Sequence, residues 1–200
     1  MTDSPPPNLT TIDRLPSVRH AVVFESALLV VAVGIGWLVS VNPFANLYLT
    51  VEGLMAGIAG TVPPALGLWL LHQSDSERIR RFIEFIHETV GPIFRRATMG
   101  EVVALAVMAG VAEEALFRGL VQEGLIGIVG WLPALLLSGL LFGLVHWVTP
   151  FYALLATIIG LYLGGLYLVT GNLLVPIVVH ALYDVVALRY LMKGGRAVGR

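Results

Sequence analysis

The chain has 200 residues, of which 57% are hydrophobic and 12% are charged, and its formal net charge is -1 at pH 7. An ordinary soluble domain is about a quarter charged, so this composition excludes a soluble globular protein and indicates an integral membrane protein. The balanced charge excludes a basic surface for nucleic acid, and the absence of cysteine excludes disulfides, thiolate metal sites and a cysteine nucleophile.

The chain begins with a polar, proline-rich stretch, residues 1–20, which we expect to be a flexible cytoplasmic tail and not a cleaved signal peptide. Six apolar runs follow, each near the ~20 residues that a helix needs to cross a bilayer. We therefore predict an all-α integral membrane protein, a bundle of about six transmembrane helices. The six runs are residues 21–41, 53–71, 102–120, 131–148, 151–170 and 173–192.

The segment between the second and third runs, residues 72–100, has a different pattern. Within SDSERIRRFIEFIHETVGP, apolar residues such as Phe82, Ile83 and Ile86 fall on one helical face, and arginines occupy the polar face. We predict one amphipathic helix in the cytoplasmic interface of the membrane. The alternative is a soluble linker helix packed on the protein.

Basic residues outside the predicted spans form three groups, separated by two spans and then by four. All three groups then lie on one side of the membrane, which is the cytoplasm by the positive-inside rule. We predict five segments along the chain: a cytoplasmic tail in 1–20, two transmembrane helices in 21–71, the amphipathic segment 72–100, a four-helix catalytic core in 101–192 and a cytoplasmic tail in 193–200. The three groups of basic residues are Arg14 and Arg19; Arg78, Arg80, Arg81, Arg95 and Arg96; and Lys193, Arg196 and Arg200.

The third span carries EEALFR, with three ionisable residues in an apolar run. Glu114 and Arg118 are four residues apart, so they can pair on one helical face. Glu113 is turned by about 100° from Glu114, so the same arginine cannot easily serve both acids. Because an ionised group near the centre of a membrane helix costs roughly 2.5–3.5 kcal/mol, we expect Glu113 to face another partner or a wet cavity.

Two later spans carry histidine. The fourth contains FGLVH, in which Phe142 and His146 share one face, and the sixth contains HALYD, in which His180 and Asp184 do so. Each histidine alone can be an ordinary helix residue bonded within its own helix. Together with Glu113, however, these residues place two imidazoles and two acids on three helices, which indicates a shared site.

This set of side chains suits hydrolysis. A carboxylate and an imidazole that converge on one water can remove its proton, and a second histidine can donate to the oxyanion formed when the water attacks an amide carbonyl. The same four residues, Glu113, His146, His180 and Asp184, are also a set that can bind Zn²⁺ or another divalent metal, which would activate the water directly. The sequence does not decide between the two.

The motifs EEALFR, FGLVH and HALYD resemble the ordered motifs EExxxR, FxxxH and HxxxN/D of the CPBP intramembrane proteases, also called the CAAX protease or ABI family. The resemblance covers about residues 101 to 190, and the first hundred residues carry no family-specific signal. It implies a membrane endopeptidase with a helical bundle around a cytoplasm-accessible cavity. It also implies that Glu113 and His146 activate the water, that His180 and Asp184 stabilise the oxyanion, and that Glu114 and Arg118 hold the helix.

Asp184 departs from the asparagine that eukaryotic CAAX-processing relatives have at this position, although prokaryotic motifs accept aspartate. An ionised Asp184 would repel an oxyanion, so it is protonated, orients His180 from behind, or ligates a metal. We favour the second interpretation, because carboxylates commonly fix an imidazole tautomer. The substitution weakens the case for a prenylated CAAX substrate.

The predicted spans do not bring the site to one depth. At 1.5 Å per residue Glu113 would lie roughly 17 Å into the third span, whereas His146 would lie near the cytoplasmic end of the fourth. A kink at Pro133, a strong tilt, or an interruption between Gly119 and Gly130 would reconcile the two depths.

Our leading prediction is an intramembrane endopeptidase that cleaves a membrane-associated protein or peptide, with zinc as the metal alternative. A second hypothesis is a non-proteolytic membrane scaffold, for example an immunity protein against a peptide toxin. A third is a proton-coupled transporter with Glu113, His146 and Asp184 as its relay, which the lack of an internal repeat disfavours.

Overall fold

The computed structural model describes residues 17–94 and 96–193, and all regular elements in these two ranges are helical. The predicted all-α membrane fold is therefore confirmed. Most of both predicted tails, and Arg95, lie outside the described residues. The elements are α1 Val18–Leu38, α2 Val51–Gly60, α3 Val62–His72, α4 Glu77–Thr89, α5 Gly91–Phe94, α6 Met99–Glu114, a π-helical segment Ala115–Gln122, α7 Glu123–Val129, α8 Trp131–Val145, α9 Pro150–Thr170 and α10 Leu174–Lys193.

Four helical runs in the described ranges are long and apolar enough to cross a membrane: α1, α2 with α3, α9 and α10. Helix α8 is apolar but has only 15 residues, so its length is about 22 Å at 1.5 Å per residue. The helix that begins at Met99 continues past the predicted end at Leu120, through the π-helical segment and α7 to Val129.

Side-chain caps and glycines set the helix ends. Thr98 and Glu101 form a capping box at the start of α6, with Glu101 Oε2 accepting from the Thr98 N–H at 3.0 Å. Thr149 caps α9, and Pro150 at its first position needs no N–H partner. Gly130 has φ 83°, a conformation that favours glycine, and it separates α7 from α8.

Helix α6 lies between α1 and α10, whereas α8 and α9 form an antiparallel pair that packs on the π-helical segment. Gly139 on α8 faces Leu161, and Gly160 on α9 faces Gly139 and Phe142. Small residues let these two helices approach closely, as in other membrane helix pairs. This close approach fixes the C-terminal end of α8, where His146 lies.

The last helix is tied to the N-terminal half of the chain. Asn172 Oδ1 accepts from the backbone N–H of Tyr48 at 3.1 Å, and its Nδ2 donates to the carbonyl of Tyr48 at 2.9 Å. The Leu173 N–H donates to Asn46 O at 2.8 Å. These bonds place the start of α10, and so His180 and Asp184, relative to α1 and α2.

The amphipathic helix α4 packs its apolar face on the protein. The Phe82 ring meets the Phe151 ring edge-on, with 4.9 Å between centroids. The polar face carries the exposed pair Glu77–Arg81, with 2.8 Å between the charged groups. Helix α4 thus covers one side of the cavity that contains the candidate site.

Candidate active site

One cavity of about 330 Å³ contains all four residues that the sequence predicts as catalytic. Its walls come from α1, α3, α4, α6 and α8 to α10, so most of the bundle contributes to it. The lining is mainly apolar, and its acids and imidazoles meet at one place. The predicted residues in it are Glu113, His146, His180 and Asp184.

Glu113 on α6 faces His146 at the C-terminal end of α8. Glu113 Oε2 lies 3.5 Å from His146 Nε2, and these side chains are 11% and 27% exposed. His146 Nδ1 lies 2.7 Å from the carbonyl oxygen of Phe142, which can only accept, so Nδ1 carries the proton. In the neutral ring Nε2 then presents a lone pair toward the Glu113 carboxylate.

Glu114, Arg118 and His180 form a buried triad beneath the cavity. Arg118 Nη1 donates to Glu114 Oε1 at 2.8 Å, both side chains being 0% exposed, so the predicted i,i+4 pair is present. Glu114 Oε1 also accepts from His180 Nδ1 at 2.7 Å. Arg118 Nη2 donates to Gly160 O at 2.7 Å, which ties α6 and the π-helical segment to α9.

The orientation of His180 differs from the sequence interpretation. Asp184 Oδ2 lies 3.6 Å from Nε2, and Glu114 holds the other ring nitrogen, Nδ1. Glu114 is therefore the carboxylate that fixes the imidazole from behind, because it alone makes a short bond to the ring. Asp184 is 27% exposed and lines the cavity.

Phe142 packs against both histidines. Its ring stacks on His146 with 4.5 Å between centroids and meets His180 edge-on at 5.8 Å. The Arg118 guanidinium lies 4.7 Å from the Phe142 ring centroid, within the range of cation–π attraction. Phe142 thus fixes the spacing between the two imidazoles.

The π-helical segment Ala115–Gln122 carries Arg118 and is hydrogen-bonded to neighbouring helices. In this segment the Phe117 carbonyl oxygen accepts a hydrogen bond at 2.8 Å from Oγ of Ser138 on α8. Gln122, 0% exposed, donates to Gly164 O at 3.1 Å. Hydrogen bonds to α8 and α9 therefore stabilise the segment that carries Arg118.

Sequence reasoning missed two buried polar residues, Glu25 and Gln122. Glu25 on α1 is 9% exposed and lines the cavity together with the four predicted residues. An isolated acid in the first apolar run, VVFESALL, was the signal available for it. Gln122 lies just beyond the predicted end of the third span.

The acids and imidazoles do not form a metal centre in this arrangement. Across the described ranges, no three His, Asp or Glu side chains converge closely enough to hold one ion. The four residues stand as two pairs, 3.5 Å and 3.6 Å apart. The predicted zinc alternative therefore does not fit this geometry.

Residues 95–186 match the family model described as "Type II CAAX prenyl endopeptidase Rce1-like". The matched segment contains α6, the π-helical segment and α8, together with the part of α10 that carries His180 and Asp184. No curated protein and no solved structure matches the chain.

Proposed function

We propose that the chain is an intramembrane endopeptidase, on the premise that residues 95–186 match the Rce1-like family of type II CAAX prenyl endopeptidases. Its substrate is a membrane-associated protein or peptide, and the reaction is hydrolysis of a peptide bond. The observation that carries the proposal is the cavity in which Glu113 faces His146 at 3.5 Å with His180 beside them.

Water activation follows from the tautomer of His146. Because Nδ1 donates to Phe142 O, neutral Nε2 and the Glu113 carboxylate are both acceptors and cannot bond to each other. A water between them donates one hydrogen to Glu113 and the other to His146, which leaves an oxygen lone pair free to attack. Glu113 is the general base, and His146 orients the water.

His180 is suited to stabilise the oxyanion. In the proposal both ring nitrogens carry protons, since Nδ1 faces Glu114 at 2.7 Å and Nε2 faces Asp184. The separation of 3.6 Å between Nε2 and Asp184 is too long for a strong hydrogen bond, so the Nε2–H remains available to the oxyanion. Asp184 keeps the positive charge of His180 directed toward the cavity.

The reaction balances with these groups alone. The water oxygen forms a bond to the carbonyl carbon while its proton passes to Glu113. The tetrahedral intermediate then collapses, the C–N bond breaks, and Glu113 returns the proton to the leaving amine. Glu114 and Arg118 take no part in these transfers and hold His180 in place.

We also propose how the chain crosses the membrane. The helices in residues 21–71 and 101–192 make about six crossings, residues 72–100 lie at the cytoplasmic interface, and tails 1–20 and 193–200 are cytoplasmic. The clustering of the basic residues on one side supports this orientation. The cavity would then open toward the cytoplasm.

The test compares membrane fractions from cells that express wild type, Glu113→Gln, His146→Ala or the control Glu52→Gln, which replaces an exposed acid at the start of α2. Mass spectrometry of newly formed peptide termini identifies cleaved proteins. We expect termini that depend on wild type, persist in Glu52→Gln and disappear in both site variants. Circular dichroism and thermal unfolding verify that the variants fold.

Cleavage retained by both folded site variants would remove Glu113 and His146 from the mechanism. Full function of Glu113→Gln in cells, without cleavage, would instead favour the scaffold hypothesis.

A further inference from the structure

Glu25 is a buried acid that the proposed reaction does not use. It lies on α1, outside the segment 95–186 that matches the protease family, and it is 9% exposed. Burying a carboxylate is costly unless it is paired with a cation or hydrogen-bonded. A partner for Glu25 is therefore expected.

The described side chains do not supply that partner. Glu25 Oε2 accepts no hydrogen bond from any of them. By contrast, Glu114, on the adjacent helix α6, bonds to both Arg118 and His180. Glu25 lines the same cavity as Glu113, His180 and Asp184, so it faces the site. Two of these three are acids and repel it.

The rest of the cavity wall offers no permanent cation. In the parts of the chain that the structure describes, neither Lys nor Arg lines the cavity. Arg118 is 0% exposed and bonded to Glu114 and to Gly160 O, so it is not available to a substrate. Imidazoles also line the wall, those of His72, His87, His146 and His180, but an imidazole is not a permanent cation.

We propose that Glu25 is a specificity-determining residue that binds a positively charged side chain, lysine or arginine, close to the scissile bond of the substrate. The inference rests on the proposed peptidase function. It follows that a free C-terminal carboxylate is a poor fit here, because it would meet three acids, Glu25, Glu113 and Asp184, against the single imidazolium of His180. The preferred site of cleavage lies within a chain and next to a basic residue.

The experiment measures binding, so that it does not depend on turnover. Full-length His146→Ala protein in lipid nanodiscs, which retains all three acids, is titrated with short fluorescein-labelled Leu/Ala peptides. The peptides differ at one central residue, which is lysine, norleucine or glutamate. Norleucine keeps the apolar stem of lysine and lacks the ammonium group.

We expect the lysine peptide to bind at least about tenfold tighter than the norleucine peptide, the effect of one charged hydrogen bond. Adding Glu25→Gln removes that preference, Glu25→Asp keeps it, and Glu25→Lys shifts it to the glutamate peptide. Glu52→Gln in the same background keeps the preference and controls for overall charge.

Equal binding of the lysine and norleucine peptides, or a lysine preference that survives Glu25→Gln, overturns the proposal. Glu25→Asp and Glu25→Lys still decide the question if Glu25→Gln does not fold. Wild-type cleavage without a preference for lysine leaves the peptidase standing and removes only the role of Glu25. A preference dependent on Glu25, in a protein that cleaves nothing, supports cation binding and counts against the peptidase.

Discussion

The substitution Glu114→Gln tests the buried triad most directly. Glutamine keeps the length of the side chain and an acceptor oxygen, so the change removes mainly the negative charge. Arg118, 0% exposed, would then be a buried guanidinium without a compensating carboxylate on its own helix. His180 would lose the charged acceptor that lies 2.7 Å from Nδ1.

The loss of stability expected for Glu114→Gln follows from the burial of the Glu114–Arg118 pair. Removing one partner of a buried pair typically costs about 3–5 kcal/mol, whereas an exposed i,i+4 pair contributes only about 0.3–0.5 kcal/mol. The chain contains a matched exposed pair, Glu77–Arg81, with the same order, the same spacing and the same 2.8 Å separation. We therefore expect Glu114→Gln to destabilise by about 3 kcal/mol or more, and Glu77→Gln by less than 1 kcal/mol.

The assay is equilibrium unfolding in mixed micelles, with increasing SDS and helix content as the readout. Arg118→Met and the double variant complete a thermodynamic cycle. Because each single substitution removes one charge of the buried pair and leaves the other charge in place, the double variant should lose at least about 1 kcal/mol less free energy of unfolding than the sum of the singles. Additive losses, or equal losses in Glu114→Gln and Glu77→Gln, would refute the view that charge pairing at this site determines stability.

Two further outcomes are expected. Gly143→Ala places a methyl against Thr157 Oγ1 and should lower the free energy of unfolding by about 1–3 kcal/mol. In the control Gly165→Ala the methyl meets no described atom within 4 Å, so the change should be neutral or stabilising. Equal unfolding temperatures of the two variants would contradict this reasoning. Burial lowers the pKa of His87 below its ordinary value of 6.5, so the unfolded chain binds more protons at mildly acidic pH and stability falls as pH decreases through that value. Acidification from about pH 7.5 to about pH 5.5 should therefore lower the unfolding temperature more in wild type than in His87→Asn, and equal losses would exclude His87 as the cause.

The local part of the site could be predicted from the sequence. Glu114 and Arg118 are one helical turn apart, so their pairing follows from 3.6 residues per turn, and the structure contains it. The contact between Glu114 and His180 joins residues 66 positions apart, and no local rule predicts it. That contact is also why Asp184 does not hold His180 from behind.

Straight, full-length spans would place Glu113 and His146 at different depths, but the helices that carry them are not straight and full-length. Helix α8 is short and ends at Val145, and the helix before it contains wide π-helical turns and ends at Gly130. The two side chains consequently meet at 3.5 Å. Glu25 was overlooked because only tertiary packing shows that α1 turns its acid toward the motif-bearing helices.

The bonds between Asn172 and Tyr48, and the position of His180 on α10, have a consequence for biosynthesis. The ribosome must make the chain as far as α10 before the His180 imidazole can reach the pocket, and α10 must pack beside helices that were made much earlier. During translation the nascent protein therefore lacks a complete set of reactive groups. In the proposed peptidase, cleavage of neighbouring membrane proteins then begins only after α10 has packed in place.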